Sequence, residues 1–138
     1  PDDPTWRHLR KHFDTIWFTD QPGAKLTFRF KGTSAALYWI HGPSTGQVRV
    51  TVDGRDAGIK GQPTMWWYFY HQGELRLAEG LEDKEHTVTV ELLPEPPVRT
   101  EAIEQAKKLG RYNPDDFKGV TLRLGWIRII GEPLPMPR

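Results

Sequence analysis

Apolar and polar positions alternate most clearly in the first half of the chain. Leu26, Phe28 and Phe30 alternate with Lys25, Thr27, Arg29 and Lys31. A period of two puts one face toward a core and the other toward water, which predicts a strand. Val48, Val50 and Val52 repeat the pattern against Arg49 and Thr51, and Asp53-Gly54 closes the run with turn chemistry. Between them, residues 35–40 are apolar on both parities, as for a strand covered on both faces. Gly32-Thr33 and Gly42-Pro43-Ser44-Thr45-Gly46 read as tight turns. Consecutive strands with short turns predict an antiparallel meander over residues 22–54.

The rest of the chain continues in the same style. Residues 15–19 predict a short strand with Ile16 and Phe18 on one face and Trp17 on the other. Residues 57–60 form a short piece ended by Gly61-Gln62-Pro63. Residues 64–71, TMWWYFYH, predict an aromatic strand with Met65, Trp67 and Phe69 on one face and Trp66, Tyr68 and Tyr70 on the other. Gly73 then turns the chain into a strand carrying Leu75 and Leu77. Over residues 86–93, Val88, Val90 and Leu92 point inward and Thr87, Thr89 and Glu91 outward. In the last strand, residues 120–130, the apolar parity shifts from Leu122 and Leu124 to Ile127 and Ile129, which predicts a bulge at Gly125.

Helical signals are few. Residues 100–109 have Thr100 as a cap, Glu101 and Glu104 early, Lys107 and Lys108 late, and Gly110 as the stop, with Ala102, Ile103 and Ala106 as the apolar stripe. This helix reads as an insertion packed on the edge of the sheet. Residues 1–4 read as an extended arm, and residues 6–13 suggest one helical turn with Trp6, Leu9 and Phe13 on a side. His8 and His12 are then four apart, a spacing that can hold a metal. No Glu follows the first His, and Arg10 and Lys11 repel a cation, so a solvated basic face is the stronger reading.

The order PG..L.F.F.GT, an apolar strand, then GP..G.V.V.VDG resembles the N-terminal jelly-roll, galactose-binding-like accessory domain of SGNH/GDSL-type carbohydrate esterases. AEGLEDKEHTVTVELL (residues 78–93) and GWIRIIGEPLP (residues 125–135) fit the same pattern, so the resemblance covers most of the chain. It implies an all-β, jelly-roll-like antiparallel β-sandwich of eight to ten strands, with one short helix inserted before the last strand. It implies residues 1–132 as the accessory domain and residues 133–138 as the start of a Pro-rich linker that leaves the sheet. The implied partner is an SGNH catalytic domain in the same chain, and the implied location is secreted or periplasmic.

Composition narrows the function classes. Nineteen basic residues against eighteen acidic ones give a net charge of +1, unlike a nucleic-acid binder with its clustered cationic excess. No apolar run approaches membrane-spanning length. The absence of Cys excludes disulfides and thiolate metal sites. The serines, Ser34 and Ser44, lie in neither GxSxG nor a Gly-Asp-Ser block, so the stretch predicts no catalytic residues. Glu79, Glu82, Asp83 and Glu85 crowd one loop, which reads as a solvated turn, with calcium as the alternative. No cofactor is required.

The aromatic run is the candidate binding feature. Sugar rings stack their C–H faces on Trp and Tyr while nearby polar groups bind the hydroxyls. Trp66, Tyr68 and Tyr70, joined by Trp39, His41 and His71, are the candidate glycan residues. The competing reading packs Trp66 and Tyr68 under the helix or against a second domain. The function expected is therefore a non-catalytic, carbohydrate-binding-like module of an SGNH-type esterase. The alternatives are a small glycan-active hydrolase or a pure protein-interaction domain.

Overall fold

The structure, a computed structural model, describes the backbone of residues 7–8 and all of residues 17–135. Among these the chain forms β1 (Arg7–His8), β2 (Trp17–Thr19), β3 (Lys25–His41), β4 (Val48–Val52), β5 (Arg55–Lys60), β6 (His71–Ala78), β7 (Lys84–Leu92), α1 (Thr100–Lys108) and β8 (Leu122–Leu134). The fold is all-β: an antiparallel, curled, sandwich-like sheet with a short helix before the last strand.

β3 runs through both layers. Its first half pairs with β7, Leu26 opposite Val90 and Phe28 opposite Val88, and its second half pairs with β6, Leu37 opposite Leu75. β8 follows its other side from Ile40–Arg123 to Arg29–Leu134. β4 and β5 extend the first layer beyond β7, while β1 and β2 pair with β8 in the second. The corner lies where Gly32 faces Gly131; a Cβ on either would run into the opposite backbone, and Gly131 has φ 140°. Only glycine allows that approach.

This corrects the expected meander. Gly32-Thr33 does not reverse the chain, because its glycine serves a cross-strand close approach, which has the same local signature as a turn. Val48–Val52 pairs with β7 rather than with β3. Gly73 likewise sits inside β6, opposite Trp39. The prolines do not end the sheet: β8 continues to Leu134, with Pro133 opposite Phe30. Among the described residues β8 pairs there with β3 alone. Pro133 and Leu134 are thus sheet residues; 136–138 lie outside the described residues.

The aromatic run is corrected as well. Met65–Tyr68 forms a 3₁₀ turn, and Thr64 caps it by accepting a hydrogen bond from the Trp66 N–H at 3.2 Å. The β-propensity of the run yields to that cap and to the burial of Trp67. α1 packs against this turn, burying Ala102 and Ala106, and Gly110 at φ 67° ends it. Its cap position is Arg99, with no side-chain cap bond, so Thr100 is the first helical residue and not the cap. Arg7 and His8 pair as a strand with Ile129 and Arg128, not as a helical turn. Trp6, Leu9, His12, Phe13 and Ile16 lie outside the described residues.

The core follows the alternation read from the sequence. Phe28, Phe30, Val48, Val50, Val88, Val90 and Leu92 are buried, with Leu26 and Val52 packed against them. Leu122, Leu124, Ile127 and Ile129 supply the second layer. Tyr38 faces Trp126 and Trp39 faces Leu124, so Gly125 is the extra residue of a bulge and resets the parity as expected.

Candidate functional site

The candidate residues divide between two faces of the sheet. Trp39 and His41 share the inward parity of β3, and Trp39 is fully part of the core. Trp67 meets Trp39 edge-on at 5.7 Å, and His41 lies 5.0 Å from Trp67. His71, opposite His41 in the register, approaches it as a T at 4.0 Å. Gly73 makes room for this pair, since a Cβ there would meet the His41 Nε2. Burial, and then the neighbouring His71, lower the His41 pKa to about 4, so its ring is neutral at pH 7. Its Nδ1 is buried without a hydrogen-bond partner. Trp39, His41 and His71 therefore form an inward aromatic cluster, and Tyr68 is partly buried against the same core. Trp66 and Tyr70 are 54% and 42% exposed.

Tyr70 belongs to the outer face, where its ring covers Gly42. Its hydroxyl lies 2.5 Å from Ser44 Oγ, which lies 2.8 Å from Thr121 Oγ1. The protons in this chain have one consistent order. Thr121 Oγ1–H donates to the Ser44 carbonyl at 3.1 Å, so Ser44 Oγ–H donates to Thr121, and Tyr70 O–H donates to Ser44. Arg123 Nη1 also donates to Thr121 Oγ1, at 2.9 Å. The guanidinium carbon of Arg123 lies 4.6 Å from the Tyr70 ring centre and 4.9 Å from that of Phe18, its cross-strand neighbour on β2. Both are cation–π distances.

The loops beneath are held by Arg99. It donates to the carbonyls of Phe117 and Gly119 at 2.7 Å each and of Thr45 at 3.4 Å. Burial lowers its pKa, while Tyr70 acts in the opposite direction. Farther along the outer face Tyr38 stacks flat on Trp126 at 4.5 Å and donates to Gln72 Oε1 at 2.9 Å. Phe18, Arg123, Tyr38 and Trp126 were not among the residues expected from sequence. Their neighbours depend on the β2–β8–β3 register.

Ser34 and Ser44 are buried, and the Ser44 hydroxyl is committed to Tyr70 and Thr121. The four loop carboxylates each take a separate cation: Glu79 with Arg76, Glu82 with Lys84, Asp83 with Lys31 and Glu85 with Arg29. His86 and Asp53 pair at 2.6 Å beside a cleft of about 420 Å³. No group of three or more metal-ligating side chains occurs among the described residues.

No family model matches the chain, and no curated protein matches it by sequence. Its fold is similar to part of several solved carbohydrate esterases. A family two carbohydrate esterase from Clostridium thermocellum, in complex with cellohexaose, aligns at TM-score 0.55 and 16% identity over 88% of this chain and 29% of that one. A two-domain esterase active on acetylated mannans, co-crystallized with mannopentaose, aligns at 0.54 and 16% identity over 84% of this chain and 28% of that one. A family 2 enzyme plus carbohydrate binding domain from Corynascus thermopiles (Myceliophthora fergusii) aligns at 0.53 and 20% identity over 96% and 32%. This chain thus spans about a third or less of each.

Proposed function

We propose that this chain is a non-catalytic, carbohydrate-binding-like β-sandwich module of an SGNH-type carbohydrate esterase, which braces the catalytic domain and contacts glycan. The observation that carries the reading is the outer face, where exposed Phe18 and Tyr70 rings flank a guanidinium and a chain of hydroxyls. Apolar ring faces beside a few fixed polar groups are what a sugar requires. The fold likeness supports it, since the chain aligns with one portion of each esterase and leaves the larger part unmatched. The committed Ser44 hydroxyl supports the non-catalytic part. The reading also implies secretion or a periplasmic location.

Two measurements test it. The chain should be retarded in affinity gels containing neutral or acidic polysaccharides while hydrolysing acetylated glycans only at background rate. Retardation by none of them removes the glycan part. The gene beyond Arg138 should encode an SGNH domain with its Gly-Asp-Ser block; a stop codon there, with no such domain beside it, removes the esterase part.

A further inference from the structure

We propose that Arg123 is the anchor of a site for a carboxylate-bearing sugar, a hexuronate unit within a glycan; this rests on the glycan-binding reading above and assigns its ligand class. Charge accounting is the first argument. Arg29, Arg49, Arg76 and Arg128 each hold a carboxylate, Arg99 is spent on loop carbonyls, and Arg55 and Arg111 are exposed. Arg123 is half-buried and has no carboxylate partner among the described residues. Its only hydrogen bond there leaves from Nη1 to Thr121, so the Nε–Nη2 edge is unengaged by the described residues. That edge is the planar fork that matches a carboxylate with two parallel hydrogen bonds.

Preorganisation is the second argument. A free arginine loses several rotamers on binding, which costs affinity. Here Phe18 and Tyr70 lie within 4.9 Å of the guanidinium carbon, and Thr121 holds one nitrogen. Tyr70 is itself oriented by its bond to Ser44. The arrangement exists before any ligand arrives. The rings remain 50% and 42% exposed, which leaves apolar surface for the sugar's C–H face beside the charged fork. A neutral sugar would use the rings but leave the cation unanswered. A uronate uses both, through charge-assisted bonds roughly twice as strong as neutral ones.

The test is calorimetric titration of the 138-residue chain with trisaccharides of galacturonic acid and of glucuronic acid, each beside its carboxyl-reduced neutral counterpart. At low salt at least one acidic trisaccharide should bind about 10-fold tighter than its neutral counterpart, and the preference should shrink as salt is added. Arg123→Gln should abolish the preference, so that the acidic and neutral trisaccharides bind alike. Arg123→Lys should recover part of it, and serves as the folded comparison if the glutamine variant is unstable. Equal binding of acidic and neutral sugars, or a preference that survives both substitutions, overturns the proposal and leaves the glycan reading standing. Binding of neither class overturns both.

Discussion

His86 and His41 both contact aromatic neighbours of the core, yet one is charged and the other neutral. His86 packs on Phe30, with Nδ1 2.6 Å from Asp53 Oδ2 and Nε2 2.8 Å from the Glu82 carbonyl. Both partners only accept, so both ring nitrogens must donate, and the ring is an imidazolium. Burial opposes that charge, but the bonds to Asp53 and Glu82 outweigh it and raise the pKa. For Asp53, burial acts upward, yet the bonds from His86 and Thr87 leave its pKa lowered. His41 has the reverse balance: burial dominates, no acceptor faces its buried Nδ1, and the ring is neutral. One region satisfies its polar atoms completely and ties the Asp53-Gly54 turn to the 79–83 loop. The other leaves a buried polar atom unmet among the inward rings of Trp39, Trp67 and His71. Local inconsistency of the second kind is where a fold serves something other than its own stability.

The largest effects should come from the shared core. Trp67→Ala removes a buried indole that holds Trp39 and His41 and should cost about 3–5 kcal/mol; Phe28→Ala or Val50→Ala should cost about 2–4 kcal/mol. Chemical denaturation measures all three. If Trp67→Ala costs under about 1 kcal/mol, the aromatic end is not part of the core and the comparison collapses.

The charge states predict opposite pH responses. The raised pKa of His86 contributes stability that is complete below its unfolded value of 6.5 and lost as pH rises through the folded value. The lowered pKa of His41 contributes stability above 6.5 that is lost as pH falls toward about 4. Asp53→Asn should therefore flatten the decline above pH 6.5, and His41→Asn the decline below it. The His41 effect should be about 1–2 kcal/mol once solvent screening is allowed for. Melting curves between pH 4 and 8 decide this. Identical profiles for wild type and both variants would remove the distinction between the two histidines.

Strand positions and the inward parity were legible because alternation is a local property: Val88, Val90 and Leu92 needed only their own neighbours, and the Gly125 bulge only the change of parity across it. What failed was non-local. Gly32 looked like a turn because its partner, Gly131, lies about a hundred residues on in sequence. Pro133 looked like a strand breaker because its partner, Phe30, lies about a hundred residues back in sequence. The aromatic run folds as a 3₁₀ turn that sends Trp67 inward and Trp66 outward, and it departs from a two-residue period in where the other rings go. The outer site joins Phe18, Ser44, Tyr70, Thr121 and Arg123 from separate segments, and no local pattern announces that meeting.

Trp66 and Trp67 make the sharpest version of the comparison, because identical side chains in adjacent positions have opposite surroundings. Trp67 is 5% exposed and Trp66 54%. The turn places them so because Thr64 caps it through the backbone N–H of Trp66, which leaves that indole free of the packing that traps Trp67. An exposed substitution with no buried contact costs stability within about 0.5 kcal/mol. Stacking against a sugar, by contrast, depends on the exposed ring face. Trp66→Ala should thus leave the melting temperature within a degree or two and weaken retention by polysaccharide gels about 3- to 10-fold, roughly the 0.5–1.5 kcal/mol of an aromatic contact. Unchanged retention with an unchanged fold would confine glycan contact to the Phe18–Arg123–Tyr70 face. A large loss of stability would instead show that Trp66 is a core residue and that the two indoles are not the contrasting pair their exposures describe.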